Sequence, residues 1–294
     1  MKNIAKSFLG IAAITSLGCA GSKLHAADPV LPLRPDPAGW KLVAELSDEF
    51  AGGSVDQTKW DAAPGSWGPW SWDPKSAFLD KGALRLRMVY EPHTRDNQNL
   101  FYKSGILRAR QEITYGYFEA RIKGCRVFPG ACPSFWMYSS GHRLGKLRYS
   151  EVDFVEMLQT LVPKTDPCVL DCNLHCQVEN EKGEAIWIRP KQDPTLCKHI
   201  WTAPWDPRDN FHVYGCEVRP KTITWYVDGA KVASAENRYW HLPMKVTLSL
   251  GLRSPYERYV QGNRIAVSET STARGFPTEM QVDYVRTWTR EMAE

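Results

Sequence analysis

Apolar and polar residues alternate one by one along several short stretches of this chain. Ala83-Leu84-Arg85-Leu86-Arg87-Met88 is one such stretch, and Gly116-Tyr117-Phe118-Glu119-Ala120-Arg121-Ile122 is another. A period of two predicts strands with one face in the core and one in solvent. Thr222-Ile223-Thr224-Trp225-Tyr226-Val227 runs into Asp228-Gly229, which predicts a strand ending in a tight hairpin turn. Lys245 to Leu250 and Gln281 to Arg286 complete the set. No long 3.6-residue periodicity, repeat or low-complexity linker interrupts them. The pattern predicts an all-β fold: one antiparallel β-sandwich of jelly-roll type over residues 40–294, preceded by a Pro-rich arm at 27–39.

One strand differs from the rest. Glu151-Val152-Asp153-Phe154-Val155-Glu156 interleaves three acids with β-branched and aromatic residues. Glu151 and Asp153 share a face at i and i+2, whereas Glu156 at i+5 belongs on the opposite one. A β-bulge at Phe154 or Val155 returns Glu156 to the acidic face. Acids held together on one face shift each other's pKa values, and a carboxyl pair is what glycosidic cleavage requires. A carboxyl separation of ~5–5.5 Å is the expected geometry, that of a retaining enzyme; a gap near ~9 Å would point to inversion.

Length and composition narrow the picture. The chain has 294 residues, 43% of them hydrophobic, which suits one large sandwich with a sizeable core. Twelve Trp and twelve Tyr supply flat rings for core packing or for stacking on sugars. Lys2, Lys6, an apolar run from Phe8 to Ala20 and the small-residue end at Ala26 read as an export signal over residues 1–26. The expected location is periplasmic or extracellular, with Cys19 as a site of lipid anchoring. The apolar run is too short to span a bilayer, and no transmembrane segment is expected. The formal charge of +4 includes three lysines and no acids in that leader; without it 34 basic residues face 33 acids, leaving +1. A near-neutral chain without a recognised nucleic-acid module excludes nucleic acid as a partner. Seven cysteines remain after Cys19, and the exported context predicts disulfides with one thiol left over; Cys125 with Cys132 would close a short loop.

Several motifs in order carry a resemblance. Ser47-Asp48-Glu49-Phe50, Ser104-Gly105-Ile106, Tyr115 to Arg121, Pro133-Ser134-Phe135-Trp136, the acid strand and Asp283-Tyr284-Val285-Arg286 together resemble glycoside hydrolase family 16. The E-x-D-x-x-E form resembles its bulged branch of laminarinases, agarases, porphyranases and κ-carrageenases. The run from Glu112 to Ser139 looks most like the κ-carrageenases. The resemblance implies a concanavalin-like sandwich with a concave cleft and retaining endo-hydrolysis of β-1,4 links in a sulfated galactan. Agarose and porphyran are the alternative substrates, and a non-catalytic lectin-like binder is a remote one. It also implies Glu151 as nucleophile, Glu156 as general acid/base and Asp153 between them as the group that orients and tunes the nucleophile. The negative charge of Glu151 and Asp153 is expected to raise the pKa of Glu156.

Sulfate recognition is expected from Arg, which binds oxyanions in bidentate fashion. His142, Arg143, Lys146 and Arg148 precede the acid strand, and Arg253 follows the strand that ends near Gly251. Arg143, Arg148 and Arg253 are therefore candidate substrate contacts. Solvated loop charges, or partners for the acids, would explain them as well. Trp67, in a Gly/Pro loop beside Trp70 and Trp72, and Trp136 are candidate sugar platforms. His175 is a candidate for the cleft floor. No cofactor is required for the chemistry; a structural calcium held by Asp283 and backbone carbonyls is the one metal the resemblance suggests. The expected partner is a polysaccharide, met by a monomer.

Overall fold

The expected strands form: Ala83–Arg95 alternates buried and less buried residues at its start, whereas Gly116–Lys123, Thr222–Val227 and Lys245–Leu252 are buried on both faces over most of their length. In the computed structural model, which describes residues 31–157 and 166–290, two large sheets face each other. The expected export signal, Cys19 and the first residues of the Pro-rich arm lie outside the described residues. The first sheet has nine strands. Its main path runs Ala185–Ile188, Leu174–Glu179, Leu147–Met157, Ala131–Tyr138, Lys245–Leu252, Ile106–Ala109 and Trp60–Asp61, every neighbour antiparallel. The second has ten strands, with Gly116–Lys123 and Thr278–Thr289 paired at its centre. One short pair, Ser71–Trp72 with Gln98–Ser104, is parallel. Among the described residues the only α-helix is Pro194–Cys197.

The turn expected after Val227 forms as read. Asp228 and Gly229 both have positive φ, 47° and 79°, which suits the twist of a two-residue hairpin. The Asp228 carboxylate accepts from the Val213 amide at 2.8 Å and ties the turn to the neighbouring strand.

The acid strand, Leu147–Met157, lies between Ala131–Tyr138 and Leu174–Glu179. Its inward residues Val152, Phe154 and Val155 are buried between the sheets. Phe154 stacks on Phe118 of the opposite sheet, centroids 5.1 Å apart, and meets Phe135 edge-on at 4.7 Å. Burying a ring of this size contributes about 1.5–3 kcal/mol. Trp225, also from the opposite sheet, donates its indole N–H to the Asp153 carbonyl at 2.9 Å. Both contacts fix the strand from its core side and so set the position of whatever projects from the other.

The described residues from Leu31 onward gather into one unit, which includes the described part of the Pro-rich arm. The Leu33 amide donates to Glu119 at 2.7 Å, and Arg34 pairs with Glu217 at 2.8 Å while covering the Trp40 ring. Further along, Glu257–Val260 and Asn263–Ala266 form a separate two-stranded finger. Sequence alternation does not mark it, because most of its residues are exposed and have no core side to alternate with.

Disulfides were expected and are not seen: Cys125, Cys168, Cys176, Cys197 and Cys216 are thiols. The Cys125–Cys132 clasp is therefore absent; Cys125 instead points at the Val127 carbonyl, and burial pushes its thiol up to about 12. Cysteine is a small apolar residue when buried, and here most of these side chains serve the core.

Candidate active site

The bulge sits where the spacing of the acids demands it. Asp153 opposes Trp136, yet Val155 opposes Phe135, so Phe154 is the extra residue. Phe154 and Val155 are consecutive and both point into the core. Glu156 is thereby returned to the face of Glu151 and Asp153, and all three line one cleft of about 210 Å³. Ser134, Trp136, His175, Ser249, Arg253 and Arg264 complete its walls with Trp67, Trp70 and Trp72. A wider groove of about 1030 Å³ adjoins it, sharing Trp67, Trp136, Glu151 and Arg264 and adding Tyr138, Tyr149, Trp187 and Tyr259.

Asp153 and Glu156 are almost wholly buried, at 3% and 7% exposure, so their charges depend on their partners. The reactive atoms of Glu151, Asp153 and His175 all lie within 4.8 Å of one another. His175 Nε2 is 3.2 Å from Asp153 and 3.8 Å from Glu151. Burial pushes the Asp153 carboxyl up to about 8, reinforced by the charges of Glu156 and Glu151 and opposed by His175. Burial alone would lower the His175 imidazole, but the Glu151 charge and the contact with Asp153 carry it up to about 9.

Glu156 has a cation of its own. Arg253 Nη2 donates to its Oε1 at 2.6 Å, and Arg253 Nη1 donates to the Leu252 carbonyl at 2.9 Å. Gly251 makes room for this: a Cβ there would stand 2.9 Å from Arg253 Nη1. Arg253 thus lines the cleft as expected, but as a partner of the general acid/base candidate.

Trp136 lies across the cleft floor, held by a 3.1 Å bond from Nε1 to Ser249 and stacked on Tyr138 at 4.7 Å. Trp67 is partly exposed and packs edge-to-face with Trp72 and Tyr138, whereas Trp70 is buried and meets Trp72 at right angles. Arg148 and Arg143 are not among the cleft residues. Arg148 pairs with Glu179, and Arg143 is exposed. His142 pairs with Glu112 at 2.7 Å. The basic cluster before the acid strand occupies the loop and the irregular start of the strand, where the register shifts at Arg148.

Sequence reasoning missed Tyr149, Trp187 and Arg264. Tyr149 was legible: it stands two residues before Glu151, on the same strand face. Arg264 was not, since it reaches the cleft from the unrecognised finger, where it bonds Tyr259 at 2.7 Å. The calcium expected at Asp283 does not fit the residues present. Its carboxylate accepts from Arg121 at 2.7 Å, and a guanidinium stands where the cation would. Among the described residues the single cluster of three metal-capable side chains is Glu151, Asp153 and His175, the acids of the cleft themselves.

Comparison with known proteins agrees with this geometry. A family profile described as beta-porphyranase A–D, GH16 domain, matches residues 40–290. The chain is 39% identical over 281 residues to a kappa-carrageenase of Pseudoalteromonas carrageenovora, covering 90% of this chain and 69% of that one. It is 27% identical over 234 residues to beta-porphyranase B of Zobellia galactanivorans, covering 74% and 75%. Among solved structures, the kappa-carrageenase of Zobellia galactanivorans superposes with a TM-score of 0.81 at 38% identity, covering 88% of this chain and 99% of the other. The Pseudoalteromonas carrageenovora enzyme in complex with an oligotetrasaccharide of kappa-carrageenan gives 0.79 at 39%, covering 86% and 96%. A bulged acid strand, a cleft walled by Trp and Arg, and these likenesses over nearly the whole described chain place it: the protein is a glycoside hydrolase and belongs to family 16.

Proposed function

We propose that this enzyme is a retaining endo-hydrolase of β-1,4 links in a sulfated galactan of the κ-carrageenan type. The observation that carries the reading is the Phe154 bulge, which brings Glu151, Asp153 and Glu156 into one cleft. The kappa-carrageenase relatives supply the substrate class.

Each residue then has a task. Glu151 attacks the anomeric carbon as Glu156 protonates the leaving oxygen, and the bond between them breaks. Glu156, now ionised, takes a proton from water, whose oxygen displaces Glu151 and releases the sugar. Asp153 and His175, 3.2 Å apart, stand beside the nucleophile and keep its carboxylate oriented. Trp136 and Trp67 offer sugar-stacking faces along the cleft. Arg264 and Arg253 place positive charge on its wall, where a sulfate ester would sit. No cofactor or metal takes part in this cycle. Among the described residues no helix is long and apolar enough to cross a membrane. We take the enzyme to be exported and to act on polymer as a monomer.

Porphyran is the second reading, favoured by the family profile. Reducing-end release from κ-carrageenan, porphyran and agarose in parallel separates the two. Fast release from κ-carrageenan alone is the expected result, with the β-anomer formed first by NMR. Initial α-product, or faster cleavage of porphyran, would overturn it. Glu151→Ala should abolish turnover while retaining oligosaccharide binding.

A further inference from the structure

Tyr149 stands on the acid strand two positions before Glu151 and shares its outward face. Its phenol O–H donates to Glu151 Oε2. The ring is clamped edge-on by Trp187, centroids 5.5 Å apart, and Arg189 covers that Trp at 3.9 Å. The other oxygen of Glu151, Oε1, has His175 at 3.8 Å. The two oxygens are therefore in different settings, Oε2 hydrogen-bonded to the phenol and Oε1 facing the imidazole at 3.8 Å.

We propose that Tyr149 is a positioning residue that holds Oε2 of the nucleophile and so presents Oε1 to the anomeric carbon. The inference rests on the reading of Glu151 as nucleophile. A carboxylate on a flexible side chain has two equivalent oxygens and several rotamers, and holding one oxygen selects both the rotamer and the attacking atom. Oε2 becomes the carbonyl oxygen of the glycosyl ester, and the phenol donates to it in free enzyme and intermediate alike. Burial, together with the charge of Glu151, pushes the Tyr149 phenol well above its ordinary range, so it stays a donor. Asp153 and Tyr138 act on it in the same direction.

Tyr149→Phe keeps the ring against Trp187 and removes only the donor. Loss of a hydrogen bond to a charged group predicts a kcat lower by roughly 10- to 100-fold. KM for κ-carrageenan should stay within about two-fold, since binding does not use that bond. Labelling of Glu151 by an activated 2-deoxy-2-fluoro oligosaccharide, followed by mass spectrometry, should slow in step with kcat. Unchanged kcat, or a fall matched by KM with labelling at the wild-type rate, would overturn the proposal. Wild-type labelling at another residue would instead remove Glu151 as nucleophile and this role with it. Should the Phe variant fold poorly, fluorotyrosine at position 149 preserves the packing and changes only the donor strength of the phenol toward Oε2. kcat and the rate of Glu151 labelling should then change together while KM holds; wild-type values of both count against the proposal.

Discussion

Arg253 and Glu156 form a buried pair: Nη2 of the guanidinium lies 2.6 Å from Oε1 of the carboxylate. The two side chains are about nine-tenths buried. The pair fixes one oxygen of the proposed acid/base. Cys132 Sγ approaches the same Oε1 at 3.9 Å, so that oxygen is enclosed on the core side. A general acid has to return to one place after each proton transfer, and this pairing provides the restoring contact.

Removing Arg253 is expected to harm both folding and turnover. Breaking a buried ion pair by deleting one partner costs about 3–5 kcal/mol, because the remaining charge keeps its burial. Arg253→Ala should therefore lower the urea midpoint markedly and reduce kcat by about 100-fold or more. Arg253→Lys retains the charge but loses the fork that also reaches the Leu252 carbonyl, and should fall between. Full activity in either variant would show that Glu156 does not depend on this contact.

The protons on Asp153 and His175, beside Glu151, make stability depend on pH. Asp153 is raised from 3.8 to about 8 and His175 from 6.5 to about 9. Each binds its proton more tightly folded than unfolded, so its contribution is complete below the unfolded value and lost as pH rises through the folded one. Buried Glu119, raised by desolvation, has the same sign. The melting temperature should fall between about pH 6.5 and 9, and unfolding at pH 7.5 should release protons in calorimetry run in buffers of different ionisation heat. A melting temperature that climbs across this window would contradict the assignment.

How far the sequence speaks depends on which face a residue occupies. The strand around Leu84 was legible because one side of it is buried and the other less so; those around Phe118 and Leu248 are buried on both sides, and short apolar and aromatic runs marked them. The acid triplet and its bulge were legible because Glu156 is out of phase with Glu151 and Asp153 by one residue. Arg148 was misplaced for a related reason. Nearness in sequence to Glu151 says nothing about direction, and the strand's register shifts between Leu147 and Tyr149, which separates Arg148 from the acids. Arg253 was located but its partner was not, since pairing across 97 residues is set by the fold. Cysteine spacing misled because export argues for disulfides in general, while burial decides each thiol.

The bulge itself can be tested through its core-side clamp. Phe154→Ala removes a ring held between Phe118 and Phe135 and should cost about 3–5 kcal/mol. Phe154→Leu refills most of the volume and should cost less. Because Phe154 and Glu156 belong to the same irregular segment, activity measured well below the melting temperature should drop more in the Ala variant than unfolding alone explains. Equal specific activity per folded molecule would mean that the bulge survives without its ring.

Arg264 and Arg148 make opposite predictions, and together they test what the finger contributes. Arg264 lines both the cleft and the wider groove, near Glu257 at 3.6 Å and Tyr259. Its charge faces the path of a polyanion, and a charge-assisted contact with one sulfate corresponds to about ten-fold in affinity. Arg264→Ala should raise KM for κ-carrageenan by about that factor and weaken the dependence of KM on salt, because one screened attraction has gone. Arg148 pairs with Glu179 outside the cleft, where an ion pair contributes about 0–1 kcal/mol. Arg148→Ala should leave KM within about two-fold. Should the two variants exchange behaviour, the sulfate-facing wall is the loop before the acid strand and not the finger at 257–266.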